Sequence, residues 1–522
     1  MTPPASKEQY RLEQEAFVSN HGGTTPQEVV FTLLPAVCGV LLATTTLGIL
    51  RRYTIHANPR VVLEFVLTVI PTVLCCTVLS GHIGSVCVIM ISVSLLNIML
   101  LLSSKGINFP GLTMRLPVIG KRPFITNFRA LTNIITAICI LAVDFPIFPR
   151  RFAKTEVYGY SLMDTGVGLF VLANALVAPE ARDFSTYRQT GFSETLVRNM
   201  KGCLRSCAPL LALGFGRFAM VEYVGYQKHV TEYGVHWNFF ITLAIVKLFT
   251  SMITSTISSK YSLLSGIWIL WMHEYTMSTK GLKTWVLRDG PRDDFFSANR
   301  EGLISVPGYV GLYFVGVAIG RLIHSTYQNS HTRSSTDISV KLNGFEFGVR
   351  SNESMLLCIK LFLISAQTYI VMLFCDFKVS RRLANAGYCM WIVILTTTLL
   401  GFLLFVEIVL DVINSAISEP CIESKTERLR KSLRLNLKKH VESKTEENDE
   451  CAIKRSLEIF DAVNYNGLFF FLVSNVVTGL VNMSVYTLYT KQSVALLILI
   501  IYMAVNILSA LILYRLKISI KL

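Results

Sequence analysis

The chain has 522 residues, of which 52% are apolar and 16% charged, with a mean hydropathy of +0.50. A soluble protein carries about 25% charged residues, so this composition excludes a string of water-soluble domains, although the length alone would allow several. The net charge of +15 does not point to nucleic acid, because Lys and Arg punctuate the apolar runs and form no basic domain.

Apolar runs of about 20 residues recur along nearly the whole chain, as bilayer-crossing helices require. The expected fold is an all-α polytopic membrane protein. A polar tail, residues 1–28, precedes the first run; no cleavable signal opens the chain, and the first run is expected to serve as targeting signal. Spans are expected at Val29–Leu50, Val61–Ser80, Ile83–Leu102, Ile125–Val143, Ser161–Ala178, Gly202–Met220, Trp237–Thr254, Ser262–Met277, Leu303–Ile323, Met355–Cys375, Tyr388–Leu410, Tyr465–Leu488 and Val494–Leu513. These about thirteen helices make one transmembrane domain over 29–513, with a charged loop at 411–464 and a tail at 514–522. An odd count puts the termini on opposite sides, and the Lys/Arg bias favours a cytosolic C-terminus and an outer N-terminus. Loop His324–Ser354 reads as mobile, and its sequon at Asn352 would face the cytosol. Cys38, Cys75, Cys76, Cys87, Cys139, Cys358, Cys375 and Cys389 sit in or at the ends of apolar runs and read as packing residues.

The densest polar cluster runs from Asp144 to Glu156 at the outer end of the fourth span. Asp144 follows an unbroken apolar stretch, and Pro146 and Pro149 stop the helix, so a rigid turn can bring Arg150, Arg151 and Lys154 back towards it. Desolvation raises a carboxyl pKa and nearby cations lower it, which suits a base that takes a proton from a hydroxyl. An interfacial ion pair anchoring the helix end is the competing reading. His236, Trp237 and Asn238 enter the seventh span among aromatics; His236 is a second candidate for proton transfer. Lys247 lies eleven residues on, roughly 16 Å deeper, and with Arg217, Lys360, Glu64 and Glu407 argues for an internal polar cavity. Asn299 with Arg300, and Arg381 with Arg382, could bind phosphate through guanidinium forks or serve as helix caps. Asn475, Thr478, Gly479 and Asn482 form one helical stripe, read chiefly as helix packing. Walker, HExxH and GxSxG motifs and metal-binding acidic clusters are absent from the sequence, which argues against nucleotide or metallo-hydrolysis.

The string from Ile140 to Glu156, with Phe145-Pro-Ile-Phe-Pro-Arg-Arg-Phe-Ala-Lys154 at its centre, resembles the inositol acyltransferases of glycosylphosphatidylinositol (GPI) anchor synthesis. These include the fungal GPI-anchored wall transfer proteins and the animal phosphatidylinositol-glycan class W. Glu15–Asn20, Gly23–Thr25, Tyr158-Gly, Met163–Gly166, Gly234–Phe240, Ser297–Gly302, Ser380–Asn385, Asn466–Leu468 and Thr478–Asn482 carry the same resemblance. It implies about thirteen helices around a membrane-embedded cavity in the endoplasmic-reticulum membrane, with the N-terminus luminal and the matching loops on that side. It also implies transfer of a palmitoyl-type chain from acyl-CoA, a co-substrate, to the inositol of glucosaminyl-phosphatidylinositol. No permanent cofactor, metal, nucleic acid or obligate protein partner is expected beyond these substrates and membrane lipids.

The resemblance marks Asp144 and Lys154 as needed for activity. With Asp144 as base, Lys154 would steady the oxyanion or the substrate phosphate. Arg150, Arg151, Trp237, Asn238, Lys247, Asn299 and Arg300 would contact substrate. His236 as base, with Asp144 orienting, is the alternative within this chemistry. A glycolipid transporter or scramblase is the alternative outside it.

Overall fold

The computed structural model describes residues 7–19, 21–50, 57–103, 122–182, 192–224, 230–279, 281–288, 290–329, 337–342, 345–350, 353–417 and 456–520. Asn352 and the middle of the charged loop lie outside these.

The polar tail is not bare: it holds helix α1 (Lys7–Val18) and runs into α2 (Pro26–Leu50). Three long helices follow, α3 (Ala57–Cys76), α4 (Ile83–Ser103) and α5 (Pro123–Ala142). Proline at the first position suits the start of α5, since its missing N–H would have had no helical partner. Glu407 then accepts the Phe124 N–H at 3.1 Å, placing a carboxylate at that helix N-terminus. Past the loop come α6 (Thr165–Ala175), α7 (Pro179–Arg182), α8 (Phe192–Val224), α9 (Val230–Tyr233), α10 (Phe239–Thr256), α11 (Ser262–Thr279), α12 (Leu282–Leu287), α13 (Phe295–Ala298) and α14 (Arg300–Asn329). An antiparallel hairpin, β1 (Asp337–Leu342) and β2 (Phe345–Arg350), leads to α15 (Glu353–Phe374) and α16 (Ala386–Ile417). The chain ends with α17 (Glu458–Tyr465), α18 (Gly467–Ser484) and α19 (Gln492–Arg515).

Among the described residues, ten helices are long and apolar enough to cross a membrane: α2, α3, α4, α5, α10, α14, α15, α16, α18 and α19. The other three expected spans also form helices, for different reasons short of that standard. Helix α6 has 11 residues. Helix α8 has 33, yet its sequence is broken by Lys201, Arg205 and Arg217. Helix α11 carries His273 and Glu274 within 18 residues.

Both long connections carry regular structure among the described residues. The segment after His324 continues α14 to Asn329 and then forms the hairpin, so it is not a plain loop. The charged loop begins and ends in helix: α16 runs to Ile417, and α17 buries Ile459, Phe460, Ala462 and Val463. The described cysteines are free and mostly buried.

Helix α5 and helix α16 form the spine. Phe124, Phe128, Ile134, Ile138 and Leu141 of α5 are almost fully enclosed, as are Ile392, Leu395, Leu400 and Leu403 of α16. Helix α19 relates the two chain ends. Near its start, Tyr10 of α1 bonds Thr487 at 3.1 Å and Tyr489 bonds Glu13. At its finish, Arg515 pairs with Glu458 and donates to Asn58, each at 2.8 Å.

Candidate active site

The loop after α5 turns tightly because its aromatics are buried. Phe145, Phe148 and Phe152 are fully enclosed, and the Phe145 and Phe148 amides close successive turns onto the Ala142 and Phe145 carbonyls. The prolines stop the helix; the three phenyl rings fix where the chain goes next. Arg150 stays at this turn. It donates to the Phe145 and Phe148 carbonyls and stacks over Phe17 of α1 at 4.0 Å. The N-terminal segment closes the loop from above: Thr24 donates to the Tyr160 carbonyl at 2.7 Å. Gly23 has φ of +82° there, and a Cβ would lie 2.4 Å from that same carbonyl, so only glycine fits.

Asp144 sits two residues past the end of α5 and is only 6% exposed. Its Oδ2 accepts the Asn482 amide of α18 at 2.7 Å. Burial raises its carboxyl from 3.8 to about 6, against the lowering pull of that hydrogen bond and of Arg150 and Lys154 nearby. The group is therefore ionised at neutral pH and still a usable base.

Lys154 Nζ pairs with Glu232 of α9 at 2.6 Å. Glu232 also lies 3.6 Å from Arg381, whose Nε holds Asp164 at 2.8 Å. Asp164 in turn accepts the Thr155 amide and hydroxyl at 3.1 and 2.6 Å. A chain of alternating charges thus leads from Lys154 back to the residue beside it. Burial alone would raise the Glu232 carboxyl, but Lys154 and Arg381 hold it down at about 2.

These groups open onto a cavity of about 1040 Å³. Asp144, Lys154, Glu156, Glu232 and Arg217 line its polar end, and Glu15 of α1 and Ser19 just after it form part of the wall. Its apolar part follows α5 down to Phe128 and includes Leu403 and Phe471. Phe128 and Ala142 stand about 21 Å apart along the helix at 1.5 Å per residue, most of a hydrocarbon core about 30 Å thick.

Of the ten residues singled out from sequence, Asp144 and Lys154 line this cavity. Arg150 flanks Asp144; its Nε and one terminal nitrogen donate to backbone carbonyls, while its other terminal nitrogen is buried with no hydrogen-bond partner among the described residues. Arg151 is turned to the surface and paired with Glu28 at 2.7 Å. His236, the alternative base, is exposed, its ring lies against Phe218 and Phe295, and it is not among the cavity-lining residues. Gly234, at φ +118°, carries the chain past Ala298 and Asn299 and so sets this position. Trp237 donates to Thr242. Asn238 caps α10, accepting the Phe240 and Ile241 amides. Asn299 holds the His236 amide and Arg300 the Arg288 carbonyl. Lys247 points outward, exposed.

The expected guanidinium forks are also engaged within the protein. Arg382 binds Glu301, which is fully buried and also holds Arg292, and Arg381 binds Asp164. Glu64 is likewise a structural acceptor, holding the Ile459 amide at 3.0 Å. The α18 stripe departs most from its packing interpretation: Asn475, Thr478 and Gly479 line the cavity, and Asn482 binds Asp144. Glu232 was missed altogether, since a single acid in a polar stretch has no periodic signal.

The chain is similar to known proteins over most of its length. A family model described as GWT1 matches residues 10–513. The glucosaminyl-phosphatidylinositol-acyltransferase PIGW of Homo sapiens is 34% identical over 518 residues, 96% of this chain and 97% of that protein. GPI-anchored wall transfer protein 1 of Gibberella zeae is 32% identical over 543 residues, 98% and 99% of the two chains. The protein of the same name from Saccharomyces cerevisiae is 35% identical over 414 residues, 77% and 75%. The chain belongs to the GWT1 family.

Proposed function

We propose that this protein is an acyltransferase that esterifies the inositol of glucosaminyl-phosphatidylinositol, an early step of GPI-anchor assembly, with a long acyl chain from acyl-CoA. The observation that carries the reading is a buried carboxyl, titrating at about 6, at the polar mouth of a long apolar cavity beside a fixed ammonium. The substrate follows from the relatives' names.

In the proposed reaction Asp144 takes the proton of an inositol hydroxyl as its oxygen attacks the thioester carbonyl carbon. The carbon–oxygen bond forms, the carbon–sulfur bond breaks, and the proton passes from Asp144 to the departing thiolate. No acyl-enzyme is required. Lys154, held by Glu232 through one direction of its ammonium, keeps N–H donors for the developing oxyanion or the substrate phosphate. Asn482 orients the carboxylate. The acyl chain occupies the apolar cavity along α5. Asn238 fixes the start of α10, whose Phe239 and Phe240 line the cavity.

The protein is taken to lie in the endoplasmic-reticulum membrane with thirteen crossings, the Asp144 end luminal and the C-terminus cytosolic. Supporting this, the contacts of α1 and of Arg515 lie at opposite ends of α19. Also, α6 with α7 reaches from Asp164 to Glu180, whose carbonyl binds Arg321 near the far end of α14. The deciding experiment incubates the purified protein in nanodiscs with labelled palmitoyl-CoA and glucosaminyl-phosphatidylinositol. Acylated inositol formed without any partner is expected; headgroup translocation with no ester formed would assign the cavity to a scramblase instead.

A further inference from the structure

The cavity wall is closed along one helix and open along another. Its α5 wall is sealed: Phe128, Leu131, Ile135 and Cys139 line it and are buried. Its α18 wall differs. Val476, Leu480 and Met483 line the same cavity, yet they are 59%, 57% and 72% exposed. A side chain that borders a cavity and also faces the surroundings marks an opening. Opposite them, Ala212, Gly216 and Arg217 of α8 line the cavity and are exposed too. The α18 lining residues Leu472, Asn475, Val476, Gly479, Leu480 and Met483 recur at helical spacing, so they form one continuous face.

Two glycines flank the opening, Gly216 on α8 and Gly479 on α18, and a Cβ built on either meets nothing within 4 Å. Most glycines inside the bundle sit against a neighbouring helix, as Gly168 does against Ile392 and Gly316 against Leu172. These two stand before empty space instead. Arg217 adds a cation at the polar end, within electrostatic reach of Glu232.

We propose that the gap between α8 and α18 is a lateral portal that takes the two fatty tails of the acceptor phospholipid. The tails lie against Val476, Leu480 and Met483 and remain continuous with the bilayer, while the inositol reaches Asp144 and anionic headgroup oxygens face Arg217. A two-tailed lipid cannot withdraw both chains into a slot already needed for the donor's acyl chain, so an opening to the bilayer solves a problem that the sealed α5 wall cannot. The proposal rests on the acyl-transfer reading only for the identity of the headgroup.

The test uses full-length protein in phosphatidylcholine nanodiscs carrying phosphatidylinositol with a photoreactive group on its tails. Crosslinks concentrated at 212–217 and 472–483 are expected, and Gly216→Leu with Gly479→Leu should cut them at least fivefold. Leucine is the better helix former and meets no atom at Cβ, so the double variant should fold. In transfer assays the same variant should lower the preference for the lipid acceptor over a tail-free glucosaminyl-inositol phosphate more than tenfold. Labelling no denser than on the exposed α11 face of Leu264, Ile267 and Trp268 would overturn the proposal. So would labelling that the double variant leaves unchanged, or a defect confined to the KM for long-chain acyl-CoA, which would give the gap to the donor. Labelling does not depend on turnover. A protein that labels as expected but makes no ester would refute the acyl-transfer reading and leave the portal standing. If even the wild type ignores the tail-free acceptor, the labelling pattern alone decides.

Discussion

Replacing Asp144 with Asn should separate activity from stability in a way that only a buried base does. The carboxyl is raised from 3.8 to about 6 by burial, a difference of about 3 kcal/mol against the charged form at 1.36 kcal/mol per pH unit. A raised acid favours the protonated folded state. Its contribution is therefore fully present below pH 3.8 and is lost as pH rises through about 6. At pH 7.5 the wild type carries this penalty and the asparagine variant does not, while the Asn482 amide still finds an oxygen to bind. Asp144→Asn should raise the thermal midpoint at pH 7.5, with a gain that vanishes near pH 4, while acyl transfer falls by about 10²–10⁴. The assay is a melting series of detergent-solubilised protein across pH, beside turnover of labelled acyl-CoA. Retention of more than a tenth of the activity would remove Asp144 from the base role. A lower midpoint at pH 7.5 would show that the carboxylate stabilises the fold as an ion pair, and the reasoning from burial would fail.

Asn482→Leu removes the hydrogen bond that favours ionised Asp144, so the acidic limb of the pH–rate profile, expected near 6, should move upward; a limb that stays put would make Asn482 a packing residue. Glu232→Gln leaves Lys154 and buried Arg381 without their shared carboxylate, and should lower turnover at least tenfold while destabilising the protein, measured by melting and initial rates. Lys154→Arg keeps the charge but replaces a compact ammonium with a planar fork, so turnover should drop about tenfold or more with the fold intact; full activity would reduce Lys154 to a generic cation. Arg151→Ala breaks only a part-exposed pair with Glu28, and such pairs contribute little, so activity should stay within about twofold.

The class of the protein, the positions of its apolar helices and the turn that follows α5 were all legible in the sequence. Each rests on local physics: hydropathy over a helix length, and prolines that end a helix. Asp144 and Lys154 were legible because they crowd the densest polar cluster; the burial of the three Phe rings between them was seen only in the structure. The partners of these groups were not. Asn482 lies 338 residues from Asp144 and Glu232 lies 78 from Lys154, and no spacing rule relates residues that meet only when helices pack. The same limit explains Arg300, Arg381 and Arg382, which as bare charges suggested phosphate until packing supplied Asp164 and Glu301. A stripe of Asn, Thr and Gly reads alike whether it faces a helix or a cavity, because helical periodicity reports a direction and not what stands there. Whether α18 has a neighbour on that face is decided by tertiary structure alone, since it depends on which helices the rest of the chain brings beside it.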